Sequence, residues 1–318
     1  MRKPRVVLTL LFTLCPPAIA DAAAQGCSHQ LLVSGYFSDN VAVYDACSGA
    51  FLRQLEQEGR IDGAQAVRHN PRDDLLYVVS EGNDQIQRYR RNAGYDFVDV
   101  FAQLDADFDP TGVAFGPAGE VHVAGYGSSS VIELDPLTGA IVGTVLPSDS
   151  GLLGADNGMM VSASGLLYVP GYDTSSVARV DLATAEVDAE FIPGGSAGLE
   201  ETRGIVDEGE TILVGGEGSG AIYRFDAGTG ALVGILVDGL VRPTGMAIDL
   251  DGSLLVLWGN RVRRYDRGTG EFLGILANGV DGGISGGTFI ALVPAPAADA
   301  VFGDGFETAD RTARASLR

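Results

Sequence analysis

Lysine is almost missing from this chain: Lys3 is its only one, and histidine is limited to His29, His69 and His122. Three histidines are too few for a His-rich metal cage. The three cysteines form no CxxC pair, and neither an HExxH element nor a GxSxG elbow on a strand-to-helix turn occurs. The nucleophile and zinc chemistries that depend on those motifs therefore lack their residues. Beyond the first residues, no apolar run approaches ~18 positions without Gly or Pro, which excludes a later transmembrane helix. No Asp-rich loop has EF-hand spacing, and "AIDLDG" reads as a hairpin turn at Asp251 and Gly252.

Acid is abundant, with 42 Asp and Glu against 21 Lys and Arg and a net charge of −21. A surface this acidic repels nucleic acid phosphates and anionic lipid head groups, so neither is an expected partner. The first residues, "MRKPRVVLTLLFTLCPPAIADAAA", carry three cations, an apolar stretch and small residues before Asp21. That order describes a secretory signal peptide over 1–20, followed by a lead-in over 21–30. The apolar stretch is too short for a membrane anchor. Export places the protein in the periplasm or outside the cell and removes Cys15, Arg2, Lys3 and Arg5. Arginine is then the sole cation, and Cys27 and Cys47 remain as an even pair in an oxidising compartment. A disulfide is expected, because a hairpin turning at "FSDN" brings the two together.

What fills the rest is repetition. The phrases "VAVYDACSGAF", "IQRYRRNAGYDF", "VIELDPLTGAIV", "VARVDLATAEV", "IYRFDAGTGALV" and "VRRYDRGTGEFL" place Tyr44, Tyr89, Leu134, Val180, Phe225 and Tyr265 at intervals of 45, 45, 46, 45 and 40 residues. Each phrase is preceded by another strand, such as "LLYVVSE" or "LLVLWG", and before that by an opening phrase such as "PTGVAFGPAGEVHV" or "PTGMAIDLDGSLLV". With 45 Gly supplying tight turns, four short strands per unit and six units predict an all-β fold. The fold is a six-bladed β-propeller over 31–294. A sandwich gives no reason for a fixed period, and solenoid coils are usually shorter. The first unit lacks its opening phrase, which reappears as "SGGTFIALVP" at 285–294, so a C-terminal strand closes the first blade. Residues 295–318 read as linker and tail. Within them "VFGDGFE" stands out, with docking against the propeller's side as its bland account.

The segments 110–139 and 242–270 resemble repeats of the NHL and SMP-30/gluconolactonase-like six-bladed propellers, a resemblance that covers about residues 30–294. By analogy with that fold, ligands bind at one channel mouth. The position before the small residue of each opening phrase gives a first ring of Gln65, Thr111, Asn157, Arg203, Thr244 and Gly286. The loop after each second strand gives a second ring of Tyr36, Glu81, Tyr126, Tyr172, Glu217 and Gly259, with Trp258 beside it. In the lactonases of the resembled group, residues near this ring hold a divalent metal. Asn157 in "DNGM" matches their Asn-Gly element, whereas Thr244 stands where "PDG" would supply a carboxylate. Arg203 repels cations, although Glu200, Glu201 or Asp62 could still complete a site for a metal such as Ca²⁺.

Arg203 suits instead a ligand carboxylate or phosphate, unless it pairs with Glu200, Glu201 or Asp207. The aromatic and acidic second ring suits a sugar or a peptide, unless it packs between blades. His122 occupies the slot of Tyr77 and Tyr168 and reads as packing. His69 could act as a base but has no orienting partner evident in the sequence. The expectation is an exported, non-catalytic propeller binding a peptide, glycan or partner protein, with no cofactor. The alternatives are a lactonase-like hydrolase or propeller lyase with a divalent metal in the channel, and a purely structural role.

Overall fold

The computed structural model of the chain describes residues 27–92 and 94–296. The proposed signal peptide and the "VFGDGFE" segment lie outside the described residues. Six four-stranded antiparallel sheets stand in a ring, with almost no helix. The innermost strands are Gly287–Pro294, Ala64–Asn70, Pro110–Phe115, Met160–Val161, Thr202–Asp207 and Pro243–Ile248, and each packs against the next around the axis. These belong to blades one to six in that order. The first blade is closed as the sequence predicts: Gly287–Pro294 pairs with His29–Gly35, with Leu31 opposite Leu292 and Gly35 opposite Gly287.

Strand alternation explains how the ring holds together. On His29–Gly35, Leu31 and Val33 pack with Leu255, Leu257 and Val262 of blade six, while Leu32 faces blade two. Successive side chains point to opposite faces, so a strand between two neighbours carries apolar residues at successive positions, as Leu31, Leu32 and Val33 do. Aromatic rings bridge the blades: Tyr77 of blade two makes edge contacts with Phe101 at 5.2 Å and with Phe115 of blade three at 5.0 Å. His122 is buried here too, as its place in the Tyr77 slot implies, and burial pulls its pKa down. Cys27 and Cys47 form a disulfide with Cα atoms 5.7 Å apart, fixing the start of the first blade to the turn after its second described strand.

Two kinds of close approach account for the repeated glycines. In the turn "DPLTGA", the Asp135 carboxylate accepts the backbone N–H groups of Leu137 and Thr138 and the Thr138 hydroxyl at 2.8–3.0 Å. Hydrogen bonds from Thr138 hold this carboxyl below its ordinary range. Gly139 follows with φ +71°, and a Cβ there would lie 1.9 Å from the Phe101 carbonyl oxygen on the outer strand of blade two. Only glycine satisfies both demands. At the axis, a Cβ on Gly158 would lie 1.9 Å from the carbonyl oxygen of Arg203 in the next blade. The "TG" and "NG" phrases thus mark places where blades touch backbone to backbone.

Gly139→Ala should destabilise the protein by about 1–3 kcal/mol, through strain and overpacking. Gly143→Ala in the same blade, where nothing lies within 4 Å, should leave the denaturation midpoint nearly unchanged. Urea unfolding of the two variants beside the wild type checks this.

Candidate functional site

At one mouth of the channel lies a cavity of about 480 Å³. Gln65, Thr111, Arg203, Thr244 and Gly286 of the first expected ring line it, and so do Tyr36, Glu81, Tyr126, Tyr172 and Gly259 of the second. The remaining three are placed differently. Trp258 does not line the cavity; the Arg263 guanidinium lies 3.5 Å from its ring centroid instead. Glu217 lies beneath the wall, where its fully buried carboxylate holds two arginines.

Asn157 is the third exception, and strand register explains it. Ala64 pairs with Ser80, Thr202 with Gly216, Pro243 with Trp258, and Ala155 bridges Gly171 in the same manner. The residue after each of these is the ring position, so blade four presents Asp156, not Asn157. Hydroxyl bonds agree. Thr244 donates to the carbonyl before Thr288 at 3.0 Å, and Thr288 to the carbonyl before Gln65 at 2.8 Å. Thr111 donates in the same way to the carbonyl before Asp156 at 2.9 Å. The first-blade ring residue is by this rule Thr288, two residues beyond the expected Gly286. Blade four carries one extra residue between Ala155 and Gly158, and the surplus falls on Asn157. Its side chain crosses the axis, donating from Nδ2 to Gln65 Oε1 at 2.8 Å and to the Thr288 carbonyl at 3.3 Å. Asn157 is fully buried and lies beneath the cavity as a floor across the channel, without lining it.

Arg203 pairs with neither Glu200, Glu201 nor Asp207, as its sequence neighbourhood suggests, but with groups from blades four and five. Its Nε donates to Asp156 Oδ2 at 2.9 Å and its Nη1 to Glu217 Oε2 at 2.7 Å. Arg242 reaches the other Glu217 oxygen from a mainly exposed position. Burial pushes the Asp156 carboxyl up while Arg203 pulls it down. Burial also works against the Arg203 charge, but Asp156 and Glu217 more than offset it and hold its pKa above the ordinary value. The network is a buried cation clamped by two carboxylates.

Glu81 differs. It accepts a hydrogen bond from the Gln65 amide, and burial pushes its carboxyl up to about 7. Tyr36 is raised by the charge of Glu81 first and by burial second. Across the cavity, Tyr126 donates to Asp173 at 2.8 Å, makes an edge contact with Tyr172 at 6.2 Å, and is pushed up to about 12, chiefly by burial. Phe37 stands 76% exposed at the rim against Tyr36. Asp62, Asp109, Asp173 and Glu201 act electrostatically on these tyrosines, so carboxylates outnumber arginines at the mouth.

The side chains present do not fit a divalent cation. Asp156 and Glu217 are already committed to Arg203, and Thr244 donates to a carbonyl in place of offering a carboxylate. Among the described residues, the one group of three potential ligand atoms lying close together is Cys27, Asp45 and Cys47, which contains the disulfide. Elsewhere His69, expected to lack an orienting partner, has one: its Nε2 lies 2.8 Å from Asp74 Oδ1, a carboxylate that also takes Arg91.

No family model matches this chain, and a search of curated proteins finds no match. Solved structures do match. A chain of a nidogen/laminin complex superposes with a TM-score of 0.70 at 12% identity, covering 85% of this chain and 100% of that one. A protein of unknown function from Bacteroides caccae gives 0.61 at 13% identity, covering 84% and 99%. A catalytically inactive virginiamycin B lyase from Staphylococcus aureus, solved with quinupristin, gives 0.57 at 11%, covering 77% and 84%. The likeness is one of fold. It places the chain among the propellers, without selecting the NHL or SMP-30 group.

Arg203→Met should destabilise by about 3–5 kcal/mol, because two buried carboxylates lose their cation, whereas Arg242→Ala should cost under about 1 kcal/mol. Chemical denaturation of both variants checks the contrast. Glu81 titrates near 4.5 when unfolded and about 7 when folded. The unfolded chain therefore releases this proton first as pH rises. The stability of the wild type relative to Glu81→Gln should fall between those two values, read as a thermal midpoint difference at each pH.

Proposed function

We propose that this chain is an exported, non-catalytic propeller whose channel mouth captures a partner protein through a cationic, partly apolar segment. The observation that carries this reading is the composition of the mouth. Exposed Phe37 and the tyrosines Tyr36, Tyr126 and Tyr172 offer rigid amphipathic area, with Glu81 and Asp156 on the wall and Asp62, Asp109, Asp173 and Glu201 close enough to act on those tyrosines. Such a surface receives Lys or Arg side chains by charge and by cation–π contact. Gln65, Thr111 and Thr244 supply polar positions beneath them. The nidogen/laminin chain supports the general idea, since that relative in fold is seen in a protein complex. The disulfide is compatible with an extracellular setting, and among the described residues no helix is long and apolar enough to cross a membrane. A glycan would use the same aromatic residues with less need of the acids.

A second reading, a lyase working by proton transfer, rests on Glu81 alone. A carboxyl raised to about 7 is matched to acid–base work near neutral pH. It has no second titratable partner of assigned role in the cavity.

Peptides selected from a displayed random library on the wild-type protein should be enriched in Lys or Arg. They should lose at least about tenfold in affinity, roughly 1.4 kcal/mol, toward the Phe37→Ser, Tyr126→Ala, Tyr172→Ala triple variant. Affinity should weaken as salt rises. Selected peptides that bind the triple variant undiminished would refute the proposed face, and selection of acidic peptides would refute its electrostatics.

A further inference from the structure

Below the Asn157 floor the channel opens again into a second chamber of about 520 Å³, running toward Pro71, Asp207 and Ile248 at the opposite mouth. Its wall combines apolar side chains with exposed polar groups. Phe115, Met160, Ile205, Met246 and Phe289 contribute apolar side chains, and one cation, Arg68, stands among them. Among the described residues Arg68 has no carboxylate partner. Its Nη2 donates to the Met159 carbonyl at 2.7 Å, its guanidinium lies 5.0 Å from the centroid of the Phe289 ring, and its buried Nε–H has no acceptor.

The contrast with the other channel arginine is informative. Arg203 sits between two carboxylates, while Arg68 has one carbonyl, and burial pulls its pKa down to about 10. It remains a cation at neutral pH. Buried charges are ordinarily paired, because an unpaired one forfeits hydration without recovering it. A guanidinium presents donors in a planar fork that matches a carboxylate. The two other titratable groups on the chamber wall make no ion pair with Arg68. His69 is held by Asp74, and one Asp207 oxygen accepts the Gly209 N–H at 2.8 Å.

We propose that the lower chamber is a binding site for a small amphipathic monocarboxylic acid, its carboxylate on Arg68 and its hydrocarbon portion against the apolar walls. The site is independent of the channel mouth, from which Asn157 and its bonds to Gln65 and the Thr288 carbonyl separate it. An inorganic anion would satisfy the charge but leave the apolar walls uncovered. An uncharged amphiphile would cover them and leave the Arg68 charge without a counter-ion.

Octanoate is a suitable probe, titrated into the whole wild-type protein by calorimetry, with octanamide and phosphate alongside. Octanoate should bind at least about tenfold more tightly than either control, and Arg68→Gln should remove that preference. Should Arg68→Gln fail to fold, the wild type still decides, because the Arg68 Nε–H resonance should shift on adding octanoate and not on adding octanamide. The proposal is overturned if octanoate shows no binding up to about 10 mM. Equal binding of octanoate and octanamide would also overturn it, as would an Arg68 resonance unmoved by bound octanoate. Tighter binding of phosphate than of octanoate would reassign the chamber to inorganic anions.

Discussion

Backbone packed directly on backbone around the axis is the constraint from which the rest of this molecule follows. Where Gly158 meets the Arg203 carbonyl there is no room for a side chain, so the residues just above must turn upward into the mouth. Threonine hydroxyls then tie three of the blades to the next through a carbonyl, as Thr244 does to Gly287, Thr288 to Ala64 and Thr111 to Ala155. The same narrowness lets one short side chain span the channel. Asn157 reaches residues of blades one and two from blade four, which no side chain of its length could do in a wider ring.

That crossing separates two chambers whose arginines are held differently. Above it, acids outnumber bases and the one deeply set arginine is neutralised by Asp156 and Glu217. Below it, Arg68 bonds a carbonyl and makes no ion pair among the described residues, on walls that mix apolar side chains with polar groups. A charge in a poorly solvated cavity acts more strongly than at the surface, so how each arginine is paired matters to what its chamber could take. One channel through one fold thereby offers two separate recognition problems.

The ring itself was legible because its causes are local. Small residues recur wherever blades touch, Asp and Gly recur in each outer turn, and the displaced opening phrase at 285–294 marks the closing strand. Most of the mouth was legible for the same reason, since a fixed period carries a ring position from blade to blade. Three features escaped. The extra residue in blade four keeps "NGM" aligned with "TGM" while moving Asp156 into the ring, which only strand pairing can detect. The partners of Arg203 come from a neighbouring blade and from a later strand of its own blade, and neither proximity is written in adjacent letters. Trp258 ends its strand on the side of Arg263, away from the cavity, a choice of face that a one-residue ambiguity hides. The role of Asp74 beside His69, five residues away across a tight turn, was within reach of a closer reading.

Hydrogen–deuterium exchange on the intact protein tests the closed ring most directly. If the last strand completes the first blade, the paired amides of Gly287–Pro294 exchange as slowly as those of Ala64–Asn70 and Thr202–Asp207, in one cooperative opening. Rapid exchange of that segment, while the other inner strands stay protected, would mean that the ring is open and that its channel has neither the floor nor the mouth described.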